Sequence, residues 1–187
     1  MHTDYFNLVK SAVEGGEDIN RLTDGISMLS IYLGEYYSEV QSGNANDERW
    51  HVGGELALPL QERKSQVYEH LQWFAENGAD FAAGEEDFPL MSAVGLADAP
   101  MAEFLLAHGA DPFYDSKESG GCGNWYVEEL DIIALNLSLE GDASEAEFDA
   151  ILKTAAVLGK YGVRGRGNFS VEIEDDSVKL RQANVKF

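Results

Sequence analysis

The chain writes one helix ending twice. Residues 71–81 read LQWFAENGADF and residues 101–113 read MAEFLLAHGADPF, so an apolar run closes on Gly-Ala-Asp at Gly78 and again, 31 residues later, at Gly109. A glycine just past the last apolar residue can take the left-handed conformation that stops a helix without a Cβ penalty. Ala-Asp, followed by Pro112 in the second copy, then turns the chain away. A stop that recurs constrains the fold more than any composition does. The helices between stops are short, no unit buries its apolar stripe alone, and stability has to come from stacking successive units.

The unit that ends at Gly109 is complete. Pro89 suits the first turn of a helix, where its missing N–H is not needed. Leu90, Ala93, Val94 and Ala97 share one small-residue face at helical spacing. Asp98 is placed to cap a second helix with Pro100 in its first turn. Met101, Phe104, Leu105 and His108 form the next stripe, so the spacing predicts two short antiparallel helices and a turn. From Leu90 to Gly109 this segment resembles an ankyrin repeat without a gap, the family pattern being T-P-L-H-x-A-A-x-x-G, a Leu/Val run, then G-A-D. Phe88 stands where that family has Thr, Met91 where it has His and Ala97 where it has Gly. The copy therefore lacks the hydrogen bonds that Thr and His make there.

Weaker copies lie on either side. In DGISMLSIYLGEYY, residues 24–37, Asp24-Gly25 supplies a turn, and Ser27, Met28 and Leu29 stand for Thr, Pro and Leu. Tyr32 replaces a small Ala, so the helices of that unit must pack differently. Residues 67–81 resemble the back half of the same unit. Leu29 to Gly78 spans 49 residues against 19 from Leu90 to Gly109. The excess falls in residues 38–66, which the sequence leaves open as a longer helix, a loop or part of a binding face. Residues 7–20 resemble the back half of a first repeat, with Gly16, Asp18 and Asn20 in G-A-D-V-N.

Downstream, residues 125–141 read as a helix with Val127, Leu130, Ile133, Ala134 and Leu137 at helical spacing. Residues 144–162 read as another, with Ser144 and Glu147 at capping-box spacing and Gly159 or Gly162 as the stop. The pair resembles a divergent last unit, as terminal repeats of such arrays are. In the tail Val171, Ile173, Val178 and Leu180 alternate with Glu172, Glu174, Lys179 and Arg181 about Asp175-Asp176-Ser177. That period predicts a β-hairpin, placed to cap the open end. The expected fold is mainly α, an ankyrin-repeat helical solenoid of about four degenerate repeats with an inserted segment and a C-terminal β-hairpin. One domain would span 1–187, with repeats at 5–22, 23–81 (insertion 38–66), 84–113 and 124–162, and the hairpin at 168–187.

Charge bounds the partners. The net charge is −21, and residues 65–152 hold 19 Asp and Glu against Lys117 alone. Such a field repels nucleic acid and anionic lipid and steers a basic partner inward. It also serves as a solubilising surface, and the sequence alone leaves both readings open. No apolar run is long enough to span a bilayer, and the N-terminus lacks a basic segment followed by an apolar stretch. The single Cys122 cannot form an internal disulfide, so a reducing cytoplasm is the expected compartment.

Catalytic and metal constellations are not found at adequate spacing. His2, His51, His70 and His108 contain no i, i+4 pair, and Cys122 has no His-rich partner segment. GVRGRGNF, residues 162–169, lacks the strand–loop–helix setting and the Lys-Ser/Thr of a phosphate loop. GEEDF, residues 84–88, and EDD, residues 174–176, lack the alternating ligands of a calcium loop. No cofactor and no metal is expected. An array of this kind presents its inter-repeat turns and the first helix of each pair. Asp24, Glu85, Glu86, Asp87, Phe88, Asp115, Glu118, Trp125 and Tyr126 fall there, carboxylates mixed with aromatics. Phe88 and Trp125 fit equally well as packing between repeats. The expectation is a non-catalytic protein-binding module, monomeric apart from a basic protein partner, and at its sharpest a cytoplasmic immunity or inhibitor protein that blocks a basic toxin. A nucleic-acid mimic that occupies a DNA-binding protein is the alternative, along with a general ankyrin scaffold. An enzyme that uses Trp50-His51 in the insertion is a further one, which a buried cluster with shifted pKa values there would favour.

Overall fold

In the computed structural model, which describes residues 2–42, 58–82, 89–113, 124–140, 144–166, 171–174 and 177–180, the Gly-Ala-Asp punctuation is a three-part device. Gly78 and Gly109 sit at φ +78° and +103°. Their N–H groups bond back to the carbonyls of Ala75 and Leu106, and the next N–H reaches Phe74 and Leu105. Carbonyls that a helix end leaves unpaired are thereby closed. The Asp then accepts from the N–H two residues on, Asp80 from Ala82 at 2.9 Å and Asp111 from Phe113 at 2.8 Å. The same device stands at Gly16 (φ +99°) with Asp18 accepting from Asn20, and its glycine part recurs at Gly162 (φ +91°). Of the two candidate glycines for the last stop, Gly162 is the one used.

The protein is mainly helical. Its described helices are α1 (His2–Glu14), α2 (Met28–Ser42), α3 (Leu58–Glu76), α4 (Pro89–Gly95), α5 (Ala99–Ala107), α6 (Trp125–Glu140) and α7 (Glu145–Lys160). Strands β1 (Leu22–Thr23) and β2 (Ile26–Ser27) form a small antiparallel pair about Asp24-Gly25, both at positive φ, as hairpin turns of two residues require. Helix α2 packs on α3, α4 on α5 and α6 on α7. Helix α4 also packs on both α2 and α6, which makes one row, and α5 packs on α7 behind it. Helix α1 lies against α2. Leu33, Leu71, Leu90, Met101, Leu130 and Ile151 are among the side chains that fill the space between the helices.

The described part of the excess in the second unit lengthens its helices, and residues 43–57 lie outside the described residues. Helix α2 runs on to Ser42 and α3 begins at Leu58, giving 15 and 19 residues against 7 and 9 in α4 and α5. Tyr32 is buried and changes the packing there, as its bulk requires. Its hydroxyl shares a 2.8 Å hydrogen bond with Nδ1 of His70, and its ring tilts on Phe74 and Phe6. His70 in turn stacks on Phe6 at 3.5 Å.

Between α4 and α5 the stop is written with Ala97, held at φ +46° where the ankyrin pattern has Gly. The N–H groups of Ala97 and Asp98 still close on the carbonyls of Val94 and Ala93. Asp98 caps α5 by accepting from the Met101 N–H at 3.2 Å, as predicted. The capping box at Ser144 and Glu147 is present as well. In the tail, β4 (Val171–Glu174) and β5 (Ser177–Leu180) pair as expected, with Glu172 opposite Lys179. Ser177 belongs to the strand rather than to the turn. A short strand β3 (Gly165–Arg166), which alternation over two residues could not announce, extends the sheet to three strands. The sheet packs on α6 and α7, and the buried Asp131 carboxylate of α6 accepts the Val171 N–H at 2.7 Å.

Candidate protein-binding face

Helix α6 is apolar on two sides. Val127, Leu130, Ile133, Ala134 and Leu137, the stripe legible in the sequence, are all buried. Apart from Ser138, the residues left at least partly open are Trp125, Glu128, Glu129, Ile132, Leu135, Asn136 and Leu139, at i, i+3, i+4, i+7 and onward. That spacing makes one continuous stripe. Ile132 and Leu139 remain 44% and 57% exposed, which a helix with one apolar stripe would not leave. Helices α2, α4 and α6 contain no Lys or Arg.

Across this row, Gly95 of α4 is a point of close approach. A Cβ built there would lie 2.9 Å from Tyr37 of α2 and 3.6 Å from Oε1 of Glu129 of α6. Burial pushes the Glu129 carboxyl above its ordinary range. Burial first, and then the Glu129 charge, pushes the Tyr37 phenol up.

The expected site residues fall out differently. Asp24 is exposed at the tip of the β1–β2 hairpin, beside the exposed Leu22 and Ile26. Trp125 is half-buried and opens the α6 stripe. Tyr126 is not on the surface: at 2% exposure it packs inside, and its hydroxyl donates to the Asp111 carbonyl at 3.2 Å. With Asn124, whose Nδ2 donates to the Pro112 carbonyl at 2.8 Å, it fixes α6 to the preceding turn. Successive residues of a helix are turned about 100° apart, which here leaves Trp125 on the open stripe and Tyr126 on the buried side. Glu85, Glu86, Asp87, Phe88, Asp115 and Glu118 lie outside the described residues, as do Trp50-His51 and Cys122.

No protein-family model matches this chain, and neither a curated protein nor a solved structure does. The chemistry therefore rests on the residues alone.

A buried polar cluster does adjoin the lengthened helices. Asp98 accepts from the Tyr68 hydroxyl at 3.0 Å and pairs with Lys64 at 2.7 Å, while Arg63 reaches the buried Glu39 at 3.3 Å. Tyr32, Tyr36 and Tyr68 all have pKa values raised, by burial above all. A phenol pushed upward stays a neutral hydrogen-bond donor at neutral pH, the opposite of what a general base requires. With each carboxylate holding a partner, the geometry suits a clamp between α3 and the α4–α5 turn. No group of three or more His, Cys, Asp or Glu able to hold a metal occurs among the described residues. Among them, no helix is long and apolar enough to cross a membrane.

Proposed function

We propose that this chain is a non-catalytic protein-binding module built as an ankyrin-type helical solenoid, and at its sharpest a small acidic immunity or inhibitor protein that neutralises a basic partner such as a toxin. The observation that carries this reading is the open stripe of α6, where Trp125, Ile132, Leu135 and Leu139 alternate with Glu128 and Glu129 on a row of helices without a cation. Apolar anchors ringed by charge are what protein interfaces use for affinity, and the acids supply attraction and register. The ankyrin-type architecture is supported by the stacked helix hairpins and by the stop repeated at Gly16, Gly78, Gly109 and Gly162. It is supported too by Asn20, which ties one exit turn to the next by donating to the Gly78 carbonyl at 3.0 Å and accepting the Asp80 N–H at 2.7 Å.

The test is capture of a partner from the cells that express the protein, at low and at high salt, with wild type and with an Ile132→Asp/Leu139→Asp double variant. A basic protein should be retained by wild type, lost by the variant, and bound with an on-rate that falls steeply as salt rises. An acidic partner, or binding indifferent to both salt and the two substitutions, would sink the reading.

A further inference from the structure

We propose that Glu129 and Tyr37 form the seat for an arginine side chain of the basic partner. The inference rests on the protein-binding reading and names the contact at its centre. Gly95 is the starting point. Its backbone is ordinary helix, so glycine is not needed there for conformation; it is needed for space. The position a Cβ would take lies 2.9 Å from Tyr37 Cε2, 3.5 Å from Cζ and 3.6 Å from Glu129 Oε1. The missing side chain lets a phenol from α2 and a carboxylate from α6 converge over α4.

Half-buried Glu129 also differs from the three fully buried carboxylates. Asp98 is held by Lys64, Tyr68 and the Met101 N–H, Asp131 by the Val171 N–H, and Glu39 by Arg63. Among the described residues Glu129 has no hydrogen bond and no ion pair, and burial raises its pKa. A half-buried carboxylate without a partner lowers stability, so folding alone gives no reason to keep it. A guanidinium would complete it. Its planar fork matches a carboxylate with two donors, and its face lies well on a phenol ring. Ile132, one turn along α6 and exposed, would cover the aliphatic stem. No Lys or Arg of α2, α4 or α6 competes for the seat.

The experiment needs no partner. Isotope-labelled protein is titrated with butylguanidinium chloride and, in parallel, with butylammonium chloride, and the Gly95 amide and Ile132 methyl signals are followed. Saturable shifts at both are expected with guanidinium, weakened about tenfold in Glu129→Gln and unchanged in Glu145→Gln at the exposed start of α7. Glu129→Gln should also melt at a higher temperature than wild type, which separates loss of the seat from loss of the fold. Shifts that persist in Glu129→Gln, or that spread evenly over α7, overturn the seat. Equal binding of butylammonium overturns the assignment to arginine. These failures are distinct from failure of salt-dependent capture, which concerns any basic partner of the wild-type protein.

Discussion

Gly109 and Ala97 hold the same left-handed conformation in different company. Around Gly109, at φ +103°, nothing lies within 4 Å of the position a Cβ would take, so Gly109→Ala meets backbone strain alone. It should lower stability by about 1 kcal/mol, read as a lower urea midpoint at unchanged slope. At Ala97, φ +46° and buried, Ala97→Gly relieves about 1–2 kcal/mol of strain. It loses a buried methyl worth about 0.8 kcal/mol and adds unfolded-state entropy of about 0.5–1 kcal/mol. The two sides nearly cancel, and the same melt should show little change. The stops were readable in the sequence because everything they need, a glycine and an Asp two residues later, is local. The convergence of Tyr37 and Glu129 over Gly95 was not readable. The residues lie 58 and 34 positions from Gly95 and are brought together only by the row of helices.

Among the elements, α3 is tied to the α4–α5 turn through one carboxylate. Asp98 gathers the Met101 N–H, the Tyr68 hydroxyl and the Lys64 ammonium around one buried carboxylate. Asp98→Ala strips the α5 cap and leaves a half-buried hydroxyl and an ammonium without their acceptor. A loss of about 3 kcal/mol is expected. Asp98→Asn keeps an oxygen for the cap and for Tyr68 and should lose markedly less; equal losses in the two variants would contradict this account. The cap itself was legible, since Asp before Ala-Pro is a helix start at the level of sequence. Its burial was not, because Lys64 and Tyr68 belong to the lengthened part of the second unit, where the repeat pattern is interrupted. Helix α6 divides in the same way. Its buried stripe followed from periodicity, while the second apolar stripe was hidden by having the same composition as a core. Tyr126 was misplaced for that reason: an aromatic at a helix start serves equally as an anchor for a partner or as a bolt to the preceding turn.

At the scale of the whole molecule, charge and burial act in opposite directions. A net charge of −21 repels itself, so added salt should raise the melting temperature even as it slows capture of a basic partner. The buried phenols set a second limit, at alkaline pH. Tyr32, Tyr36 and Tyr68 have raised pKa values because burial disfavours the phenolate, with the charges of Glu39 and Asp98 and the neighbouring Tyr36 phenol adding to it. Below the ordinary tyrosine value of about 10 both folded and unfolded chains keep these protons, and the stability they contribute is whole. Above it the unfolded chain gives them up while the folded one retains them, so stability falls with rising pH. Ionisation of the three should therefore coincide with unfolding. Followed together against pH, the tyrosinate absorbance of these residues should appear only as the helical circular dichroism is lost, and Tyr68→Phe should remove one such phenol from the shared step. Full tyrosinate absorbance with the helical signal intact would show that these rings are open to water, and the clamp between α3 and the α4–α5 turn would have to be abandoned.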